Sequence, residues 1–165
     1  MADQQYWSAG RTYGCRVTRR VLATIAQWAV DACPSETGGI LIGHYSTDRR
    51  CARVTQALPA PVDSGSGPTW FHRGTDGLQQ QLQHAWNVDD VYYLGEWHVH
   101  PNGTPAPSAV DIQQMRAIAR SPAYHCPEPL LLVLAGTPSH SWQIGLFVVP
   151  SGRAHIALHG CQPTP

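Results

Sequence analysis

The stretch "GEWHVHPNGTPAPSAVDIQQM", Gly95–Met115, sets two histidines and an aspartate close together in a chain with few charges. Tyr92 to His100 reads as a strand, and on a strand residues two apart project to one face. His98 and His100 therefore stand side by side, with Val99 turned to the core behind them. Pro101 cannot donate to a sheet ladder and ends the strand, and the Pro/Gly loop after it lets the chain turn back over the histidines. Ser108 to Arg120 reads as a helix with Ile112, Met115 and Ile118 or Ala119 facing inward. Ser108 sits at the N-cap of that helix, and Asp111 falls three residues later in its first turn, the spacing of a capping box. A cap alone would explain the serine and the aspartate, and an isolated His-x-His pair is often incidental. Their conjunction points to a metal. Two neutral imidazoles and one carboxylate suit Zn²⁺, and three protein ligands leave a fourth tetrahedral position open, as catalytic zinc requires.

Upstream, Val17, Val21, Leu22, Ile25, Trp28 and Ala29 recur at helical spacing, with Thr18 near the start and Pro34 closing the segment. "ETGGILIGHY" (36–45) then combines a glycine pair with a short apolar run, which suits a buried strand entered through a tight turn, with Glu36 at the entrance. Ala52 to Leu58 is a further strand. "PAPVDSGSGPTW" (59–70) is rich enough in Pro, Gly and Ser to be an exposed loop of functional length. From Asp76 to Trp86, Leu78, Leu82, Ala85 and Trp86 mark another helix with a solvated, glutamine-rich face. Downstream, "LLLVLAG", "SWQIGLFVV" and "RAHIALH" are three strand candidates. The expectation is an α/β fold in a single domain spanning 1–165, with a mixed sheet flanked by helices.

Composition narrows the function. Hydrophobic residues make up 42% and charged ones 13%, with zero formal net charge, so the chain is folded and has no basic patch to bind nucleic acid. The five cysteines, Cys15, Cys33, Cys51, Cys126 and Cys161, are spread out, odd in number and never in a C-x-x-C pair, which favours free thiols in a reducing cytoplasm. The first fourteen residues lack an apolar signal segment, and the longest apolar run, Leu130 to Ala135, is too short to span a membrane. All eleven basic residues are arginine. The absence of lysine has two readings: codon bias in a GC-rich genome, or work beside machinery that modifies lysines.

Hydrolysis at such a metal needs a base. The glutamates are Glu36, Glu96 and Glu128. Strict alternation puts Glu96 on the face of His98 and His100, as a fourth ligand or a base, and local geometry favours it; Glu36 lies on another segment. "ETGGILIGHY" followed at a distance by "WHVHPNGTPAPSAVD" resembles the JAB/MPN metalloprotease family, whose JAMM signature is a distant Glu, then H-x-H-P, a short spacer and S-x-x-D. The resemblance runs in order from the first helix to the third. It implies an MPN-like (cytidine deaminase-like) fold, with Glu36 as general base, His98, His100 and Asp111 as Zn²⁺ ligands, and Ser108 as a hydrogen-bond donor to the tetrahedral intermediate. Val99 stands where that family usually has Ser or Thr, and it faces away from the site.

"GEWHVHP", with "TWFHRG" (69–74) upstream, is most similar to the bacterial branch. That branch implies an isopeptidase or peptidase cutting after the extended C-terminal tail of a ubiquitin-like protein, by deconjugation or precursor processing, beside E1-like and E2-like enzymes. Processing of a sulfur-carrier protein is the alternative. Three rival readings stand beside these. A catalytically silent MPN-type scaffold would have lost ligands, and none is lost here. A nucleoside deaminase would need a P-C-x-x-C element, which is absent. A structural zinc site would take Glu96, His44 or His72 as a fourth ligand. The loop from Pro59 to Thr69 is a candidate cover, with Trp70 placed to touch a substrate tail. His125, His140, His155 and His159 read as surface or strand-face residues, and Trp7, Trp28, Trp86, Trp97 and Trp142 as core and loop anchors.

Overall fold

The computed structural model describes residues 3–161, so the ends of the expected 1–165 span lie outside the described residues. The chain runs β1 (Gln4–Trp7), β2 (Gly14–Val17), α1 (Arg19–Ala32), β3 (Thr37–Tyr45), β4 (Cys51–Leu58), β5 (Gly65–Gly67), β6 (Trp70–His72), α2 (Leu78–Asp89), β7 (Tyr92–Pro101), α3 (Ala109–Arg120), β8 (Leu130–Gly136), β9 (Gln143–Val148) and β10 (Ile156–Gly160). Eight strands close into a barrel in the order β1-β10-β9-β8-β7-β3-β4-β2, and β5 and β6 form a separate hairpin. The β2–β4 and β7–β8 pairs are parallel and the other barrel pairs antiparallel, so the sheet is mixed, as expected. No helix among the described residues is long and apolar enough to cross a membrane.

The central strands are buried on both faces because helices cover both. Leu41, Trp97, Val99, Leu132 and Leu134 pack with Val21, Ile25 and Ala29 of α1. The alternate residues Ile40, Ile42, Tyr93, Leu131 and Val133 pack with Leu78 of α2 and Ile112, Met115 and Ile118 of α3. This is why "LLLVLAG" reads as an unbroken apolar run rather than an alternating one. Thr18 caps α1, its hydroxyl accepting from the Val21 amide at 3.3 Å. Trp28 stacks on Trp97, with centroids 5.3 Å apart and planes 17° from parallel, which ties α1 to the back of the histidine strand.

Five features depart from the sequence reading. β1 and β2 are four residues each, too short for period-two alternation to register. Val17, read with the first helix, belongs to β2. The glycine pair lies within β3 rather than in a turn before it: Gly38 opposes His98 and Gly39 opposes Trp97. A Cβ on Gly38 would lie 2.6 Å from Phe71 Cε1 and 2.9 Å from His98 Cδ2, and one on Gly39 would strike the Leu58 carbonyl. The loop after β4 folds its second half into the β5–β6 hairpin, and Trp86, read as an anchor, is 42% exposed and meets Tyr92 edge-on.

Candidate metal centre

β7 carries His98 and His100 on the face toward α3, and α3 brings its first turn to them. His98 Nδ1 lies 2.8 Å from Asp111 Oδ1, and His100 Nε2 lies 3.3 Å from Asp111 Oδ2. The capping box is formed in full: the Asp111 amide donates to Ser108 Oγ at 3.1 Å, and the Ser108 amide donates to Asp111 Oδ2 at 2.7 Å. One donor atom from each of His98, His100 and Asp111 falls within 4.8 Å of the others, and the set could hold a metal ion. His98 Nε2 is buried with no hydrogen-bond partner among the described residues. An unpaired buried polar nitrogen is costly. The nitrogens turned to Asp111 are His98 Nδ1 and His100 Nε2, and two imidazoles with a carboxylate are a donor set that fits Zn²⁺.

The charges of the cluster are mutually dependent. Burial opposes ionisation of Asp111, but hydrogen bonds from His100 and His98 outweigh it and hold the carboxyl well below its ordinary range. Burial likewise works against protonation of His98, and Asp111 and Glu96 reverse it, raising the imidazole to about 9. His100 is raised by its hydrogen bond to Asp111 against partial burial. The carboxylate thus favours the protonated form of both imidazoles, and a metal bound there would compete with those protons.

An open cleft of about 630 Å³ exposes one side of the cluster, lined by Glu36, His100, Ser108, Asp111, Trp70 and Phe71 among others. Thr37 pairs with Val99, which sets Glu36 level with His100, and the Glu36 amide donates to the Gly67 carbonyl at 2.8 Å. The Glu36 carboxyl is raised, chiefly by burial; His100 and His98 oppose the rise and Asp111 adds to it, so the group feels all three members of the cluster. Ser108 Oγ accepts from the Asp111 amide, which leaves its hydroxyl hydrogen available to the cleft.

Local alternation favoured Glu96 over Glu36 as a base, and the structure separates their environments. Glu96 is fully buried beneath the cleft, where Arg73 and Tyr93 hold it. His44 and His72 are exposed and outside the three-residue cluster. His125, His140, His155 and His159 are exposed, as expected. Sequence reasoning missed Arg73, whose only visible signal was its place in "TWFHRG", and Phe71, which meets the His98 ring edge-on at 5.4 Å.

A mixed sheet with His-x-His on a central strand and Ser-x-x-Asp at the facing helix start defines the class, and the chain belongs to the prokaryotic homologues of the JAB domain, matched over residues 18–145. Its relatives include a protein named CD-NTase/cGAS isopeptidase from Enterobacter hormaechei, 38% identical over 156 residues, which are 94% of this chain and 86% of the relative. A probable metalloprotease, y4qB, from Sinorhizobium fredii is 30% identical over 114 residues, 65% of this chain and 69% of that one. Among solved structures, protein DSY2949 from Desulfitobacterium hafniense superposes with a TM-score of 0.57 over 88% of each chain. At 20% identity that likeness concerns the fold alone.

Proposed function

We propose that the chain is a zinc-dependent isopeptidase that cuts after the C-terminal tail of a ubiquitin-like protein and so removes it from a conjugate. The observation that carries this reading is the convergence on one cleft of Glu36, immediately before β3, with the His98–His100–Asp111 cluster. The relatives' names favour deconjugation over sulfur-carrier processing, and they suggest an acceptor of the CD-NTase or cGAS class. E1-like and E2-like enzymes would make the conjugate that this chain takes apart. The free cysteines suit a cytoplasmic setting.

His98, His100 and Asp111 would hold the ion, which when bound supplies a Lewis acid and lowers the pKa of water. Glu36, raised by burial, takes a proton from the attacking water and returns it to the departing lysine amine as the C–N bond breaks. Ser108 donates its hydroxyl hydrogen to the carbonyl oxygen as charge develops there. Trp70 and Phe71 wall the cleft where a narrow, extended tail would lie.

The test is cleavage of a ubiquitin-like protein joined through its C-terminus to a lysine side chain. The Zn²⁺-loaded chain should cleave it, a chelator should stop it, and added Zn²⁺ should restore it. Glu36→Gln should lose about 10²–10⁴-fold in rate while still binding Zn²⁺. Full activity in Glu36→Gln, or cleavage indifferent to chelation, would refute the reading.

A further inference from the structure

The ion pair beneath the cluster has no part in the chemistry above. The Arg73 and Glu96 side chains are 3% and 0% exposed. Arg73 Nε and Nη2 both reach Glu96 Oε1, at 2.9 and 2.8 Å, and the Tyr93 hydroxyl donates to the same oxygen at 3.2 Å. The guanidinium is itself fixed, Nη1 by the Gly74 carbonyl and Nη2 by the Tyr124 hydroxyl, each at 2.8 Å. Glu96 Oε1 is therefore saturated, and the carboxylate cannot rotate without giving up three donors. Its other oxygen, Oε2, has Gln114 Nε2 at 3.5 Å and faces His98 Nε2 at 3.8 Å. That nitrogen has no hydrogen-bond partner among the described residues. The gap exceeds hydrogen-bond length, and a shift of about 1 Å closes it.

We propose that Glu96, clamped by Arg73, is a positioning residue for His98: its free oxygen accepts the Nε2 hydrogen, which leaves the Nδ1 lone pair on the Asp111 side for the metal. The inference rests on the metal reading above. Stability alone explains the pair poorly, because an apolar pair of similar volume would serve a core equally well or better. A ligating histidine usually donates its second N–H to a carboxylate or carbonyl, which fixes the tautomer and makes the ligand more basic. The clamp also joins the cleft wall to the ligand strand. Arg73 follows β6 directly, and Phe71 on that strand packs edge-on against the His98 ring.

The experiment measures Zn²⁺ affinity of the full chain by competition with a chromophoric chelator. Glu96→Gln keeps the shape but changes the face shown to His98. Arg73 can donate only to oxygen, so it holds the amide oxygen in place and turns the NH₂ toward His98 Nε2. That nitrogen must then accept, Nδ1 carries the hydrogen, and affinity should fall about 10–100-fold. In Arg73→Met/Glu96→Gln the amide is free to rotate its oxygen back, and Zn²⁺ should bind more tightly than in Glu96→Gln alone. A purely structural pair predicts the reverse, since removing a second partner restores nothing. Affinity in Glu96→Gln within about twofold of wild type, or no recovery in the double variant, would overturn the inference. Should Glu96→Gln not fold, Arg73→Met/Glu96→Met replaces the pair with apolar volume; unchanged affinity there is equally fatal. Failure of the wild-type chain to bind Zn²⁺ would sink the metal reading itself.

Discussion

Gly38→Ala isolates the claim that β3 is glycine-rich because the site occupies the space where a side chain would be. The added Cβ would sit 2.6 Å from Phe71 Cε1, 2.6 Å from the Trp97 carbonyl oxygen and 2.9 Å from His98 Cδ2. Relaxed carbon contacts lie at about 3.5–4.0 Å, so the two ring carbons would have to retreat by roughly 0.6–1.4 Å. The Trp97 carbonyl belongs to β7, the strand paired with β3 at this point, and cannot retreat without loosening that ladder. Phe71 and His98 must take the rest. Overpacking of this kind costs about 1–3 kcal/mol, which for a chain of this size corresponds to a Tm drop of roughly 2–12 °C. Displacement of the His98 ring should also weaken Zn²⁺ binding, which a general loss of stability would not do in the folded protein. Thermal unfolding with and without Zn²⁺ reads both effects. Gly10→Ala is the control, because its Cβ would meet only Thr12 Oγ1 at an ordinary 3.7 Å. A Gly38→Ala protein that melts with the wild type and binds Zn²⁺ equally well would refute the close approach and the packing argument with it.

Ser108→Ala removes both the α3 cap and the donor to the cleft: stability should fall by about 1 kcal/mol and the cleavage rate by about 10²–10³-fold, whereas Ser108→Thr should retain the cap; denaturant titration and steady-state rates separate the two effects. The metal-free chain should lose stability as pH rises. His98 is raised from the ordinary histidine value to about 9, so its contribution is complete below about 6.5 and lost as pH climbs through 9, at up to roughly 1.4 kcal/mol per pH unit; flat denaturation midpoints across that window would contradict it. Asp111, held low, contributes above the ordinary carboxylate range, and that share is lost as acid protonates it.

What the sequence disclosed depended on how local the signal was. His98, His100, Ser108 and Asp111 were legible because strand period and capping-box spacing are properties of neighbouring residues, and the structure brings these four together. Pairing Glu36 with them needed the resemblance, since no local rule predicts which strand lies beside β7. Glu96 illustrates the limit: alternation placed it correctly on the histidine face, but its partner Arg73 comes from a segment whose course sequence periodicity does not describe. The glycines of β3 were misread for the same reason. A turn and a crowded strand both demand a missing side chain, and only the neighbours Phe71, Trp97 and His98 tell them apart. β1 and β2 close the barrel through register with β10 and β4, a long-range condition that four-residue segments cannot encode in their own pattern.

The Asp111 carboxylate is shared between two structures. Oδ2 receives the Ser108 amide that starts α3, while Oδ1 faces His98 and Oδ2 also lies near His100. Fraying of the first turn of α3 would carry the Asp111 carboxylate away from both histidines, so any ion held by that carboxylate would be linked by mass action to the opening of the helix. Amide hydrogens at Asp111 and Ile112 should exchange more slowly in proportion to Zn²⁺ occupancy, which makes the start of α3 a built-in gauge of whether the centre is loaded.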